Sequence, residues 1–293
     1  MSAERPFFIV GAPRSGTTLL RLMFDAHPAV RVPPESHFIP LLYHRFRGRF
    51  EREAVLEALL ADERFREWEL DADRVRRTVY EHGNDWRPFI ESIYVLAAQE
   101  ADADRWGDKT PAYAEHLPVL GRLFPEAVVF HLVRDPRDVA ASLLEMPWAR
   151  GDAIAQARLW RRRVVRAERD GHRWFGDRLV RLSYEALVAE PEVTLRGACR
   201  WVGLEFDASM LSYPDRAASA IPAHRQAWHG RTREPVSEAA VGRWKADLSA
   251  SDAAAVSWVA RREIRIFGYE PGPAAGPWLR FRSWWRGLTG RAT

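Results

Sequence analysis

The sequence predicts an α/β fold of the phosphate-loop type: a central parallel sheet flanked by helices on both faces, with a helical insertion. Three observations carry this. Residues 6–11 (PFFIVG) form a short apolar run that stops at glycine, as a buried parallel strand does, and a helical period starts after Gly16. Residues 127–133 (AVVFHLV) form a second such run, ending at RDP. Residues 178–184 (RLVRLSY) form a third, again followed by a helical pattern. Strands alternating with helices call for a parallel sheet.

The elements follow in order. After the first strand, Leu19 with Met23 and Leu20 with Phe24 lie four apart, on one helical face. Residues 44–105 read mostly as helices, with Val55 and Leu59, Leu56 and Leu60, and Val75 and Val79 on shared faces, broken by EHGNDWRP. This stretch reads as an insertion that shapes the site. Its aromatics (Trp68, Tyr80, Trp86, Phe89, Tyr94) suit a core better than a ligand-stacking wall. A helix runs from Asp138 to Leu144. A long one is marked by Ala157, Trp160, Val164 and Ala167, with a basic, solvated outer face. Leu195, Cys199 and Val202 mark the next, and residues 251–270 read as a C-terminal helix closing at Gly268. The expected organisation is one domain over 1–270, then a linker and an aromatic, basic tail over 271–293, for which simple packing on the body or disorder is expected ahead of contact with a partner or membrane surface.

Composition narrows the function. The chain has 293 residues and a formal net charge of +4, with a sequence pI of about 9.5. That balance suits an anionic ligand and says little for nucleic acid, which ranks last. Cys199 is the single cysteine, so no intrachain disulfide can form. His224 and His229 are five apart, which fits no helical metal pair, so no metal is expected. No apolar run is long enough to cross a membrane, and a strand starting at about Pro6 leaves no room for a leader, so a cytoplasmic location is expected. Of 44 basic residues only Lys109 and Lys245 are lysine. A lysine in so arginine-rich a chain points to chemistry that a planar guanidinium cannot do.

The stretch GAPRSGTT (11–18) has phosphate-loop spacing, but Thr17 stands where a nucleotide hydrolase carries its lysine. Backbone N–H groups and the helix start still form an anion site, and Arg14 and Ser15 lie inside the loop. Such a loop suits a 5′-phosphate bearing something less charged than a second phosphate. In RDPRDVAAS (134–142), Arg134 at a strand's carboxyl end and Ser142 on the following helix can reach the crevice above the sheet. Two anion sites suggest a 3′,5′-bisphosphorylated adenosine. The alternative is that Arg134 pairs with Asp135 or Asp138 on the surface.

IVGAPRSGTTLLRLMFDAHP, VRVPPESHFIP, GDKTP, FHLVRDPRDVAASLL, LSYEALVAEPE and VGRW, in this order over about residues 6–270, resemble the PAPS-dependent sulfotransferases, most closely the tyrosylprotein-sulfotransferase-like branch. PAPS is 3′-phosphoadenosine 5′-phosphosulfate. The resemblance implies that Arg14, Ser15, Gly16, Thr17 and Thr18 bind the 5′-phosphosulfate and that Arg134 and Ser142 bind the 3′-phosphate. It implies nucleotide contacts for Tyr184, Arg243 and, on looser spacing, Thr232. No metal is required.

Sulfuryl transfer by in-line displacement needs a base, an aligned acceptor and a group that stabilises the leaving phosphate. Glu35 matches the family glutamate and is the expected base; a helix-start carboxylate is the alternative, and His37 is the second candidate base. Lys109 is the expected leaving-group residue, with an exposed loop lysine as its alternative, and Arg14 stabilises the transition state. Pro33 and Pro34 depart from the Gly-Glu of the animal enzymes and call their peptide contacts into question. With no anchor in the chain, a small-molecule, lipid or glycan acceptor is expected ahead of peptide tyrosine, and a homodimer is allowed. A divergent nucleotide kinase and a non-catalytic nucleotide-binding scaffold are the competing functions. Magnesium-dependent ATP hydrolysis would mark the first, and absence of PAPS binding the second.

Overall fold

Strand β1 (Phe7–Gly11) is buried along its whole length and sits at the centre of a five-stranded sheet. The computed structural model describes residues 5–214, 234, 236–274 and 276. The other strands are β2 (Val30–Arg31), β3 (Arg105–Lys109), β4 (Val128–Val133) and β5 (Leu179–Ser183), in the order β2-β3-β1-β4-β5. Every pairing is parallel. The three apolar runs are thus β1, β4 and β5. Sequence reading missed β2, which has only two residues, and β3, whose RWGDK carries no apolar run.

β3 is a strand for packing reasons. Gly107 lies beside Phe7, and a Cβ there would come within 2.3 Å of the Phe7 ring. Asp108 and Lys109 are buried polar residues at its carboxyl end, which a hydrophobicity pattern reads as a break.

Alternation along β1 builds two cores. Phe8 and Val10 face one side and join Phe38, Tyr94 and Phe124; Phe7 and Ile9 face the other and join Phe24, Leu132 and Leu195. Each fully buried side chain of this size contributes about 1.5–3 kcal/mol. Helix α1 (Thr17–Asp25) lies on the second side. The first side is covered by α2 (Phe38–Arg45), α3 (Arg52–Leu60), α4 (Glu63–Arg66), α5 (Ala72–His82) and α6 (Trp86–Gln99). EHGNDWRP does separate two helices: α5 stops at His82, and the Asp85 side chain caps α6. Trp68, Trp86, Phe89 and Tyr94 are core residues, while Tyr80 is exposed.

Helix α7 (Leu117–Leu123) precedes β4, and α8 (Pro136–Leu144) follows it. α8 begins two residues earlier than the sequence indicates, because Asp135 caps it by accepting from the Arg137 N–H at 2.8 Å. The long helix is α9 (Ala153–Phe175), and α10 (Tyr184–Ala189) and α11 (Pro191–Val202) follow β5. The single C-terminal helix expected over 251–270 is instead α13 (Ala250–Val259) and α14 (Arg261–Ile266), after a one-turn α12 (Trp244–Asp247). The break falls at Ala260, and no proline or glycine explains it. The aromatic tail lies outside the described residues. Among the described residues no helix is long and apolar enough to cross a membrane.

Candidate active site

The carboxyl ends of β3, β1 and β4 carry, side by side, Lys109, the loop after Gly11, and Arg134. Register places them together: Ile9 lies opposite both Lys109 and Phe130. Two loop glycines are sterically required. A Cβ on Gly11 would sit 2.5 Å from the Leu132 carbonyl oxygen, and Gly16 has φ +90 with the Tyr184 ring packed on it. Arg14 is itself left-handed, at φ 65. Such a conformation costs a non-glycine residue about 1–3 kcal/mol and occurs where surroundings enforce it.

Here the surroundings are α8 and β4. Arg14 Nε donates to Ser142 Oγ at 3.0 Å, and Arg134 Nη1 donates to the Arg14 carbonyl at 3.0 Å. Arg134 Nη2 donates to the Ala240 carbonyl, and the guanidinium stacks 4.5 Å from the centre of the Tyr184 ring. Of the pairings expected as the alternative for Arg134, the one with Asp138 forms, but it is buried rather than on the surface. Arg134 is buried and Asp138 stands 4.0 Å away, engaged by the N–H groups of Gly242 and Trp244. Asp135 is taken by Arg137. Two buried polar atoms, Ser15 Oγ and Arg134 Nε, have no hydrogen-bond partner among the described residues. Buried polar atoms of this kind are uncommon and call for an explanation. A ligand rich in anionic oxygens would satisfy both.

Glu35 stands on the other side of the loop. Lys109 Nζ donates to Glu35 Oε1 at 2.6 Å and to Thr18 Oγ1 at 3.3 Å. The His37 ring donates from Nε2 to Glu35 Oε2 at 2.9 Å, since an ionised carboxylate can only accept. Burial opposes ionisation of Glu35, but Lys109 and His37 outweigh it and hold the carboxyl well below the ordinary range. Lys109 is buried, not an exposed loop lysine. Lys245 is the exposed one, paired with Glu270 at 2.8 Å. Glu35 is not a plain helix-start carboxylate either; α2 is capped at His37, whose φ is 53.

A buried framework supports this pair. Trp68 Nε1 donates to the Pro34 carbonyl at 3.0 Å. Ser36 Oγ lies 2.7 Å from the Tyr113 hydroxyl, and the Ser36 N–H donates to Thr110 Oγ1 at 3.1 Å. Tyr94 donates to Asp108 Oδ2 at 2.7 Å, and burial pushes the Asp108 carboxyl up. Ser36, Trp68, Tyr94, Asp108 and Tyr113 were not identified from sequence as supports of the site. Ser36 and Asp108 adjoin the named motif residues, which is the one signal that could have found them.

The structure therefore brings together Arg14, Ser142, Arg134 and Tyr184, and separately Glu35, His37, Lys109 and Thr18, with Ser15, Gly16 and Thr17 between. Arg243 is engaged by Glu145 and Asp247 rather than by any of these residues. Thr232 lies outside the described residues. Among the described residues no group of three or more His, Cys, Asp or Glu could hold a metal.

The family model described as "Sulfotransferase family" matches residues 6–208 of this chain. Protein-tyrosine sulfotransferase 1 of Danio rerio is 26% identical over 277 residues, spanning 90% of this chain and 72% of that protein. Protein-tyrosine sulfotransferase A of Caenorhabditis elegans is 26% identical over 275 residues, spanning 91% of this chain and 68% of that protein. In structure the chain is similar to the sulfotransferase domain of the Synechococcus PCC 7002 olefin synthase, with TM-score 0.64 and 25% identity, covering 92% of this chain and 98% of that one. The relatives' names correct the ranking of acceptors, which had placed small molecules, lipids and glycans ahead of peptide tyrosine. That ranking draws on there being no apolar run long enough to cross a membrane and on Pro33–Pro34. An anchor decides where an enzyme works rather than which hydroxyl it modifies, and the Pro34 carbonyl accepts a hydrogen bond from Trp68 that holds the base segment.

Proposed function

The chain belongs to the sulfotransferase family, and from that premise we propose that it moves the sulfuryl group of PAPS to the phenolic hydroxyl of a tyrosine in a peptide. The observation that supports the sulfuryl-donor part of this reading is the row at the strand ends: a buried Lys109–Glu35 pair, a loop with an unsatisfied Ser15 hydroxyl, and a buried Arg134 with an unsatisfied Nε. PAPS, when bound, supplies an activated sulfuryl group on a phosphate leaving group. In this reading Arg14, Ser15, Gly16, Thr17 and Thr18 hold the 5′-phosphosulfate, and Arg134 and Ser142 hold the 3′-phosphate. Tyr184 walls the nucleotide beside Arg134. Arg243 reaches the donor only by leaving Glu145 and Asp247.

Glu35 takes the acceptor's proton, and Lys109 balances charge on the leaving oxygen, a task suited to a compact ammonium. Arg14 stabilises the sulfuryl oxygens. His37 is bonded to Glu35, so it orients the base rather than replacing it. The peptide acceptor is supported by the relatives' names, not by the geometry.

Titration calorimetry without added metal, comparing 3′,5′-adenosine bisphosphate with ATP, tests the donor. Binding of the bisphosphate alone is expected; binding of ATP alone or of neither refutes it. Mass spectrometry of a tyrosine peptide after incubation with PAPS, beside its phenylalanine counterpart, tests the acceptor. An unmodified tyrosine peptide refutes that part.

A further inference from the structure

Both oxygens of the proposed base are occupied in this structure, Oε1 by Lys109 at 2.6 Å and Oε2 by His37 at 2.9 Å. A carboxylate engaged in this way is a poor proton acceptor. Lys109 is also within 3.3 Å of Thr18 Oγ1, at the start of α1. It therefore sits between the base and the anion loop and can serve either side. We propose that Lys109 blocks Glu35 until the sulfuryl donor occupies the loop, and that Oε1 is the atom it then releases to take the acceptor's proton.

The inference rests on the donor reading above. Anionic oxygens arriving beside Thr18 compete with Glu35 for the ammonium, whose three N–H groups can turn toward them. His37 remains on Oε2 and keeps the carboxylate aimed. The other charged groups near Glu35 have partners of their own. Arg21 of α1 donates from Nε to the Val32 carbonyl at 2.8 Å, and Arg163 of α9 is held by Glu115 at 3.2 Å. Both feel the charge of Glu35. Asp108 of β3 is bonded by Tyr94 and interacts with His37. Once Lys109 turns away, burial of Glu35 is opposed by fewer charges and its affinity for a proton rises.

The step then balances. The acceptor oxygen forms the new O–S bond. The S–O bond to the 5′-phosphate breaks, its electron pair going to the phosphate oxygen beside Lys109. The acceptor's proton goes to Glu35 Oε1 and leaves to solvent after turnover.

Carbon-13 NMR of protein labelled at the glutamate side-chain carboxyls tests this, with Glu35→Gln identifying the Glu35 resonance. Its titration is followed in the free protein and with saturating 3′,5′-adenosine bisphosphate. The expected result is an upward move of the Glu35 midpoint by about one pH unit or more, a tenfold gain in proton affinity. In Lys109→Met the midpoint should already be raised without ligand and should move no further. A bisphosphate that binds by calorimetry yet leaves the midpoint where it was would overturn the proposal while leaving the donor reading intact. An unshifted midpoint in Lys109→Met would overturn it as well. Absence of any bisphosphate binding would overturn the donor reading and this inference with it.

Discussion

Gly16→Ala separates two roles of one glycine. The residue has φ +90, which costs an alanine about 1–2 kcal/mol in backbone strain. The new methyl would also lie 2.3 Å from Tyr184 Cδ2 and 2.8 Å from Cε2, so the ring must move. Overpacking of this kind costs about 1–3 kcal/mol. The single variant should therefore lose about 2–5 kcal/mol of stability. Tyr184 carries the Arg134 guanidinium at 4.5 Å, so displacing it should also weaken bisphosphate binding. The expected loss is roughly 10- to 100-fold, at about 1.4 kcal/mol per tenfold. Placing Gly16→Ala in a Tyr184→Ala background removes the overlap and leaves only the strain. Urea unfolding of the wild type, both single variants and the double variant gives the coupling, expected at about 1–3 kcal/mol. Costs that add to within about 0.5 kcal/mol would show that Tyr184 does not press on Gly16, and the reasoning would fail.

Two further predictions follow from individual contacts. Glu168 of α9 is buried enough to favour its neutral form, but His131 at 2.7 Å and Arg181 bond it, and its carboxyl is held down at about 2, against an ordinary 4.5. The unfolded chain then binds the extra proton between these values, so stability rises with pH there. The contribution is complete above about pH 5 and is lost as pH falls toward 2. Glu168→Gln should flatten that part of the stability-against-pH curve in urea titrations, and an unchanged slope would refute the assignment. Arg134→Ala should weaken bisphosphate binding by roughly 10- to 150-fold, from a charge-assisted contact of about 1.5–3 kcal/mol; unchanged affinity in calorimetry would remove Arg134 from the 3′-phosphate.

What could be read from the sequence depended on whether a residue's role is local. β1 and β4 announce themselves because they are buried along their whole length and their runs are apolar, and β5, a partly exposed edge strand, keeps enough of that pattern in Leu179, Val180 and Leu182 to be read. β3 hides because its site end must carry Asp108 and Lys109, and because Gly107 makes room for Phe7. Arg14, Glu35, Lys109 and Arg134 are legible as polar residues set against strand ends and prolines. Their supports are not legible. Trp68 reaches Pro34 across 34 residues, and Tyr113 meets Ser36 across 77. No window of sequence joins them. The ion pair that engages Glu35 was missed for the same reason: each partner was assigned its own task, and only the fold shows that they share a bond.

The row of strand ends and the helical layer beside it differ in how they could be transplanted. Main-chain hydrogen bonds hold neighbouring strands about 4.8 Å apart. Lys109, the loop and Arg134 leave three consecutive strands, so their separation of roughly 10 Å is set by backbone, whatever the side chains. Glu35 has no such ruler. Its segment is held by an indole from the end of α4 and by a phenol following β3, over an aspartate tied to α6. A chimaera that exchanged the α3–α6 block to recruit a new acceptor would keep the donor row. It would mislay the base unless the incoming block brought an N–H to the Pro34 carbonyl and a hydroxyl to Asp108.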